Sequence, residues 1–331
     1  MSNIVVITTG GTIASRSDAR GAKVAGGCGS ELLDGVTLPP GVRVEVRDVL
    51  SRNSAALTLD DLDQLRTAVG DALDAGADAV VITHGTDTTE ETAMVLDLVH
   101  DDPRPVVLTG AQRAADELGA DGPANLRDAL LVAIHPTARG LGVLVVFDGE
   151  VFAARGTRKV HTVASAAFAD PDSGPLGRVV LGELELRRRP DRPPTLRDVG
   201  PLPRVDIVAL YPGADTVALD AYVAAGAAGV VLEAPGLGNS NPVVAAGVRR
   251  HVMSGTPVVL STRVAAGPVR AVYGGGGGGR DLVAAGAVLA GWLRPGQARI
   301  QLAVLLAAGA GPDLIRSTFE NPTTRKALTH G

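Results

Sequence analysis

Short runs of β-branched and apolar residues recur along the first half of the chain, at Ile4–Ile7, Val80–Ile82, Val106–Leu108 and Val143–Phe147. Continuous runs of this length, without polar alternation, predict strands buried on both faces of a sheet. Between them the period changes. Leu62, Leu65, Val69 and Leu73 recur at three- and four-residue spacing, with Thr58 where a helix N-cap belongs. Thr88-Thr89-Glu90-Glu91 reads as a capping box, Thr88 with Glu91, opening a helix through Met94, Val95 and Leu98. Asp121-Gly122-Pro123 opens another, with proline near its first position. Strand and helix in alternation predict a parallel, doubly wound sheet.

The alternation breaks between Arg187 and Pro203, where five prolines and five arginines appear with almost no periodicity. Such a segment has no face to bury and reads as an extended linker. Beyond it, Asp206–Leu210, Val230–Leu232 and Pro257–Leu260 read as strands. Asn241-Pro242 caps a helix, and Pro295 starts one carrying Ile300, Val304 and Leu305. The expected organisation is an N-terminal α/β domain over 1–186, a Pro/Arg-rich linker over 187–204 and a smaller C-terminal α/β domain over 205–331. The six consecutive glycines Gly274–Gly279 read as a flexible loop.

Composition narrows the function. The chain has 331 residues, 45% apolar and 20% charged, the balance of a folded globular protein. Its net charge of −5 argues against a nucleic-acid partner, and 2% aromatic content removes the stacking platforms of single-strand binders. Mean hydropathy is +0.20. The longest largely apolar stretch, Leu282–Leu293, is a dozen residues with small spacers, too short to span a membrane, which takes about twenty residues. Met1-Ser2-Asn3 runs straight into Ile4–Ile7 with no basic, then apolar, leader, so the expected location is cytoplasmic. The single cysteine, Cys28, excludes an intrachain disulfide and reads as a plain loop thiol.

In a parallel sheet, ligands bind beyond the carboxyl ends of the strands. Thr8–Ala14 follows the first run, Thr83-His84-Gly85-Thr86-Asp87-Thr88 the second, and Thr109-Gly110-Ala111-Gln112-Arg113 the third. After the fourth come Asp148 and, farther on, Lys159. Hydroxyls, a carboxylate, glycines and a lysine therefore gather at one edge. Glycines there open backbone N–H groups to a ligand, and a hydroxyl beside a base becomes a nucleophile. A lysine amine drawn out of water in such a place can accept a proton. Gly10-Gly11-Thr12-Ile13-Ala14 does not fit the dinucleotide pattern, and no phosphate-binding P-loop occurs. His84 and Asp87 lack further ligands at metal spacing, so His84 reads as a neutral, hydrogen-bonded turn histidine.

Thr9-Gly10-Gly11-Thr12-Ile13-Ala14 and His84-Gly85-Thr86-Asp87-Thr88 together resemble the two signatures of the bacterial-type L-asparaginases, the asparaginase/glutaminase amidohydrolases. Agreement continues through Gly110–Arg113, Ala120–Pro123 with Asn125-Leu126, Arg155, Lys159, Gly174–Gly177, Gly238–Asn241 and Ser261–Val264. With the alternation, the resemblance implies an α/β fold of two Rossmann/flavodoxin-like domains with mainly parallel sheets. It implies hydrolysis of the L-asparagine side-chain amide to aspartate and ammonia, with no cofactor and no metal. By matching positions Thr12 is the nucleophile, and Thr86, Asp87 and Lys159 form a second cluster that activates a hydroxyl or water. Gly11, Ser54, Gly85, Thr86, Asp87 and Ala111 line the substrate. Ser54 takes its α-carboxylate and Asp87 its α-amino group, while the Thr86 N–H and the Ala111 carbonyl bracket the amide. The resemblance also implies a homotetramer, a dimer of dimers, in which Asn241 reaches into the neighbouring subunit's site.

Two departures stand out. The family carries a tyrosine shortly after the first motif, whereas Ser15–Ser30 has none and Tyr211, Tyr222 and Tyr273 all fall in the second domain. The family's partner glutamate would fall in or near Tyr273–Arg280, which contains no carboxylate. Alternatives to an asparaginase are a glutaminase-asparaginase, another amidohydrolase of the family, or a weakly active or inactive asparagine-binding relative.

Overall fold

A computed structural model describes residues 2–17, 23–25, 29–34, 36–38 and 41–320; Cys28 and part of Ser15–Ser30 lie outside them. The chain divides into two compact units, Met1–Pro190 and Asp191–Gly331.

The first unit opens with β1 (Ser2–Gly10), followed by a small antiparallel hairpin of β2 (Ser15–Ser17) and β3 (Lys23–Ala25). Next come β4 (Val42–Arg52), α1 (Leu59–Asp74), β5 (Ala79–Thr83), α2 (Thr89–Val99), β6 (Val106–Thr109), α3 (Gly122–Ile134) and β7 (Val143–Phe147). Short strands complete it: β8 (Glu150–Ala153), β9 (Arg158–Lys159), β10 (Phe168–Ala169), β11 (Gly177–Val180) and β12 (Glu183–Leu186). Eight of these form one sheet in the order β12-β11-β8-β7-β6-β5-β1-β4. The five strands from β7 to β4 are parallel, and the β8, β11 and β12 margin is antiparallel.

The predicted apolar runs are the central strands, and their alternate residues feed two cores. Ile4, Val6, Val81, Val107, Leu144 and Val146 pack with Leu126 and Leu130 of α3 on one face. Val5, Ile7, Val80, Ile82, Leu108 and Val145 pack with Leu65 and Val69 of α1 and Ala93 and Leu96 of α2 on the other. A continuous apolar run is therefore required, because neither face meets water. From β1 the chain first adds β4 on one side, then crosses to β5 on the other. That reversal is a topological switch point, where such sheets open a ligand crevice.

Thr58 caps α1 as predicted, in a reciprocal capping box with Asp61. The Thr88–Glu91 box does not form. Thr88 stands at the N-cap of α2, but its hydroxyl donates to the Ser54 carbonyl at 2.9 Å and so ties that turn to the loop after β4.

No regular element occurs from residue 187 to 204. The second unit holds β13 (Val205–Ala209), α4 (Val217–Ala224), β14 (Gly229–Ala234), α5 (Pro242–Met253), β15 (Val258–Thr262), α6 (Gly279–Ala284), β16 (Val288–Leu289), α7 (Pro295–Ala307) and α8 (Pro312–Glu320). Its four strands are parallel in the order β13-β14-β15-β16. The polyglycine run is more ordered than a free loop. Gly277, Gly278 and Gly279 are buried, Gly277 accepts from the Ser240 N–H at 2.7 Å, and α6 begins at Gly279. A β-carbon on Gly277 would meet the Asn241 backbone at 2.4 Å, so close packing accounts for glycine there.

Among the described residues no helix is long and apolar enough to cross a membrane.

Candidate active site

The loops beyond β1, β4, β5 and β6 surround a cavity of about 460 Å³. The loop after β1 supplies Gly11, Thr12 and Ser15, and the end of β4 supplies Ser51, Asn53 and Ser54. Gly85, Thr86 and Asp87 follow β5, Gln112 follows β6, and Lys159 and Thr162 come from β9 and the segment after it.

Local bonds hold each loop in place. Thr9 Oγ1 donates to the Thr83 carbonyl at 3.0 Å, pinning the end of β1 to β5. Ser15 Oγ donates back to the Gly11 carbonyl at 2.8 Å and closes the turn that carries Thr12. Asp121 accepts from the Gln112 and Arg113 main-chain N–H groups at 2.9–3.1 Å, shaping the turn after β6. Thr86-Asp87-Thr88 forms one 3-10 turn leading into α2. Its position at the helix N-terminus favours a negative group in the cavity.

His84 lies fully buried behind this turn. A carbonyl can only accept, so the 2.7 Å contact to the Gly85 oxygen makes Nδ1 the donor. Nε2 then accepts from Thr92 Oγ1 at 3.0 Å. Burial lowers the His84 pKa from 6.5 to about 4, the Gly85 bond opposing it in part. It is the neutral turn histidine that the sequence predicts. Among the described residues no group of three or more His, Cys, Asp or Glu could hold a metal ion.

Lys159 is the hub. Its Nζ donates to Thr86 Oγ1 at 2.8 Å and to Asp87 Oδ1 at 2.7 Å. Gln112 Nε2 contacts the His161 carbonyl at 3.4 Å, which turns Oε1 toward Thr86. Thr86 therefore donates its own proton to Gln112 Oε1 at 3.2 Å and accepts from Lys159. The bonds run in one direction, from lysine to hydroxyl to amide. Ser54, packed beside Gly85, is 2% exposed, and its Oγ has no hydrogen-bond partner among the described residues. A buried hydroxyl left unpaired costs about 1–3 kcal/mol, which sets Ser54 apart from the bonded threonines around it.

Seven of the nine sequence-derived site residues, Gly11, Thr12, Ser54, Gly85, Thr86, Asp87 and Lys159, thus line one cavity. Ala111 is buried beside Gln112 but does not line it. Asn241 belongs to the second unit and caps α5. Its Oδ1 accepts from Val243 and Val244, and its Nδ2 donates to the Ala214 carbonyl at 2.7 Å. Sequence reasoning missed the bond between Gln112 and Thr86. The position of Gln112, three residues past the end of β6, was the available signal.

Two family models match the chain: "Asparaginase, N-terminal" over residues 3–192 and "Glutaminase/Asparaginase C-terminal domain" over residues 204–319. A "Probable L-asparaginase" of Deinococcus radiodurans is 41% identical over 322 residues, covering 96% of each chain. An "L-asparaginase" of Bacillus licheniformis is 36% identical, covering 92% of this chain and 95% of its own. The crystal structure of a "Probable Cytoplasmic L-asparaginase" from Campylobacter jejuni superposes with a TM-score of 0.86 at 30% identity, covering 96% of this chain and 99% of that one.

Proposed function

Because the chain belongs to the asparaginase/glutaminase family, we propose that it is an L-asparaginase, hydrolysing the side-chain amide of L-asparagine through a threonine nucleophile and an acyl-enzyme. The observation that carries this reading is the convergence of Thr12, Thr86, Asp87 and Lys159 on one cavity, with Lys159 bonded to two of the others.

Substrate enters with its α-carboxylate on Ser54 and its α-amino group on Asp87. Ser54 and Asp87, whose carboxylate is exposed, both line the cavity. Thr12 Oγ1 attacks the side-chain carbonyl, whose oxygen is stabilised by the Thr86 N–H. The Thr12 proton ends on the departing nitrogen, which leaves as ammonia, and an aspartyl ester remains on Thr12. Water then attacks the ester. Lys159 gives one proton to Asp87 and becomes a neutral amine 2.8 Å from Thr86 Oγ1. The water's proton passes through Thr86 to that amine and on to the Thr12 oxygen as aspartate is released, and Asp87 returns its proton to Lys159, restoring the ion pair. Every step uses groups of this chain, the main-chain N–H of Thr86 among them.

Glutamine is the second substrate to weigh. A cavity of about 460 Å³ has room for one more methylene, which changes binding by only about 1–3 kcal/mol. The resemblance supports a dimer of dimers. Asn241 would have to exchange its bond to Ala214 to reach a neighbouring site. Light scattering on the eluted protein tests this, and a stable active monomer contradicts it. Likeness to the Campylobacter protein supports a cytoplasmic location, which cell fractionation checks.

The ester intermediate is directly testable. Thr86→Ala given L-asparagine should accumulate a species heavier by one aspartyl group, mapped to Thr12 by peptide mass. An adduct elsewhere, or none in a variant that still binds substrate, overturns the assignment of Thr12.

A further inference from the structure

Glu90 stands in the first turn of α2, three residues beyond Asp87, and has no part in the steps above. Its Oε2 accepts the main-chain N–H of Lys159 at 2.8 Å. Lys159 belongs to β9, a strand of two residues whose partner β10 is equally short, so the ladder itself supplies few bonds. Thr86 and Asp87 sit on the turn entering the helix that carries Glu90. One carboxylate therefore joins the helix that follows the turn bearing two reacting groups to the strand bearing the third, 69 residues away in sequence.

We propose that Glu90 is a positioning residue, whose bond to the Lys159 main chain sets Lys159 Nζ within reach of Thr86 and Asp87. The inference rests on the assignment of Lys159 to the reacting cluster. A long, flexible lysine side chain aims its ammonium only if its own backbone is fixed, and misplacement of a catalytic group by about 1 Å costs about a hundredfold in rate.

The surroundings of Glu90 give this bond a signature. Removal from water, with help from the Glu91 carboxylate, raises its pKa from 4.5 to about 7, opposed by the Lys159 N–H and by Arg158. Of the other elements packed on α2, β7 presents only the apolar run Val143–Phe147. Helix α1 meets α2 through the apolar cluster of Leu65, Val69, Ala93 and Leu96. Asp87, on the preceding turn, is paired with the Lys159 ammonium. A carboxyl raised in this way while it holds the Lys159 N–H gives the contact a pH signature that a residue merely filling space would lack.

The chain has three lysines, Lys23, Lys159 and Lys326, so nitrogen-15 lysine labelling gives an amide spectrum simple enough to assign with Lys159→Arg. The Lys159 amide proton should shift with a midpoint near pH 7, and Glu90→Gln should abolish that shift. With L-asparagine as substrate, Glu90→Ala should lower kcat about tenfold or more while KM changes less than about threefold. Glu90→Gln, which keeps an acceptor oxygen, should recover most of the rate. The labelling experiment on Glu90→Gln decides the matter even if Glu90→Ala does not fold. A Lys159 amide whose pH dependence between about pH 4 and pH 8 is the same in Glu90→Gln as in the parent, or a Glu90→Ala enzyme matching the parent, overturns the proposal. A parent protein whose Lys159 amide titrates but which releases no ammonia upholds the contact and sinks the amidohydrolase reading instead.

Discussion

A β-carbon on Gly11 would sit 2.5 Å from both the Cα and the amide nitrogen of Gly85. The turn that carries Thr12 and the turn that carries Thr86 are therefore packed backbone on backbone, with no room for a side chain between them. Gly11 also has φ of +79°, which an L side chain rarely adopts. Gly11→Ala must push the two turns apart. It should cost at least about a hundredfold in kcat/KM, since displacement of a catalytic group by about 1 Å is enough. Steady-state kinetics, with circular dichroism to confirm folding, checks it.

Lys159→Met keeps the length of the side chain and removes the amine. With no base for the deacylating water, kcat should fall by about 10²–10⁴. The Lys159–Asp87 pair has a half-exposed partner, and pairs open to water contribute about 0–1 kcal/mol. The melting temperature should therefore move by only a few degrees. A large loss of stability with little loss of rate would mark Lys159 as structural.

Ser54→Ala separates binding from folding. The unpaired Ser54 hydroxyl gives the free protein no bond, so its melting temperature should hold or rise. A hydrogen bond to a charged carboxylate is worth about 1.5–3 kcal/mol, so KM for L-asparagine should rise about tenfold or more. Thermal unfolding and initial rates on the same sample provide both readings. A lower melting temperature with an unchanged KM would remove Ser54 from the substrate site.

Much of this arrangement was legible in the chain. The runs at β1, β5, β6 and β7 could be read because each is buried on both faces and leaves a continuous apolar stretch. The strand β4 has its own period, with Val42, Val44 and Val46 alternating with exposed residues at the sheet edge, and a search for continuous runs passes over it. The antiparallel margin of β8, β11 and β12 is only four residues deep per strand and leaves still less pattern. At the site, local motifs pointed to Thr12, Thr86 and Asp87. The bonds of Thr88 to Ser54 and of Glu90 to Lys159 join residues 34 and 69 positions apart, which no local spacing encodes. Thr88 misled for a related reason: its hydroxyl has two outlets, and tertiary contact with Ser54 prevailed over the local cap.

His84 fixes the sign of a pH effect. Its pKa is near 6.5 unfolded and about 4 in the folded protein, so the unfolded chain binds the extra proton first. The contribution of His84 to stability is complete above about pH 6.5 and is lost as pH falls toward 4. The loss approaches about 3 kcal/mol. Urea unfolding across this range should show the decline, and His84→Gln, which cannot be protonated, should flatten the part due to this residue.

Hydrolysis of a side-chain amide through Thr12 is the activity proposed for this cavity. Ammonia release from the purified protein, offered L-asparagine, L-glutamine and D-asparagine in parallel with a Thr12→Ala control, tests it most directly. Rapid release from L-asparagine that disappears in Thr12→Ala, while that variant still binds L-asparagine, is the predicted result. No release from any of the three by the parent, with L-asparagine still raising its melting temperature, would mean a binding site without the reaction and would contradict the account.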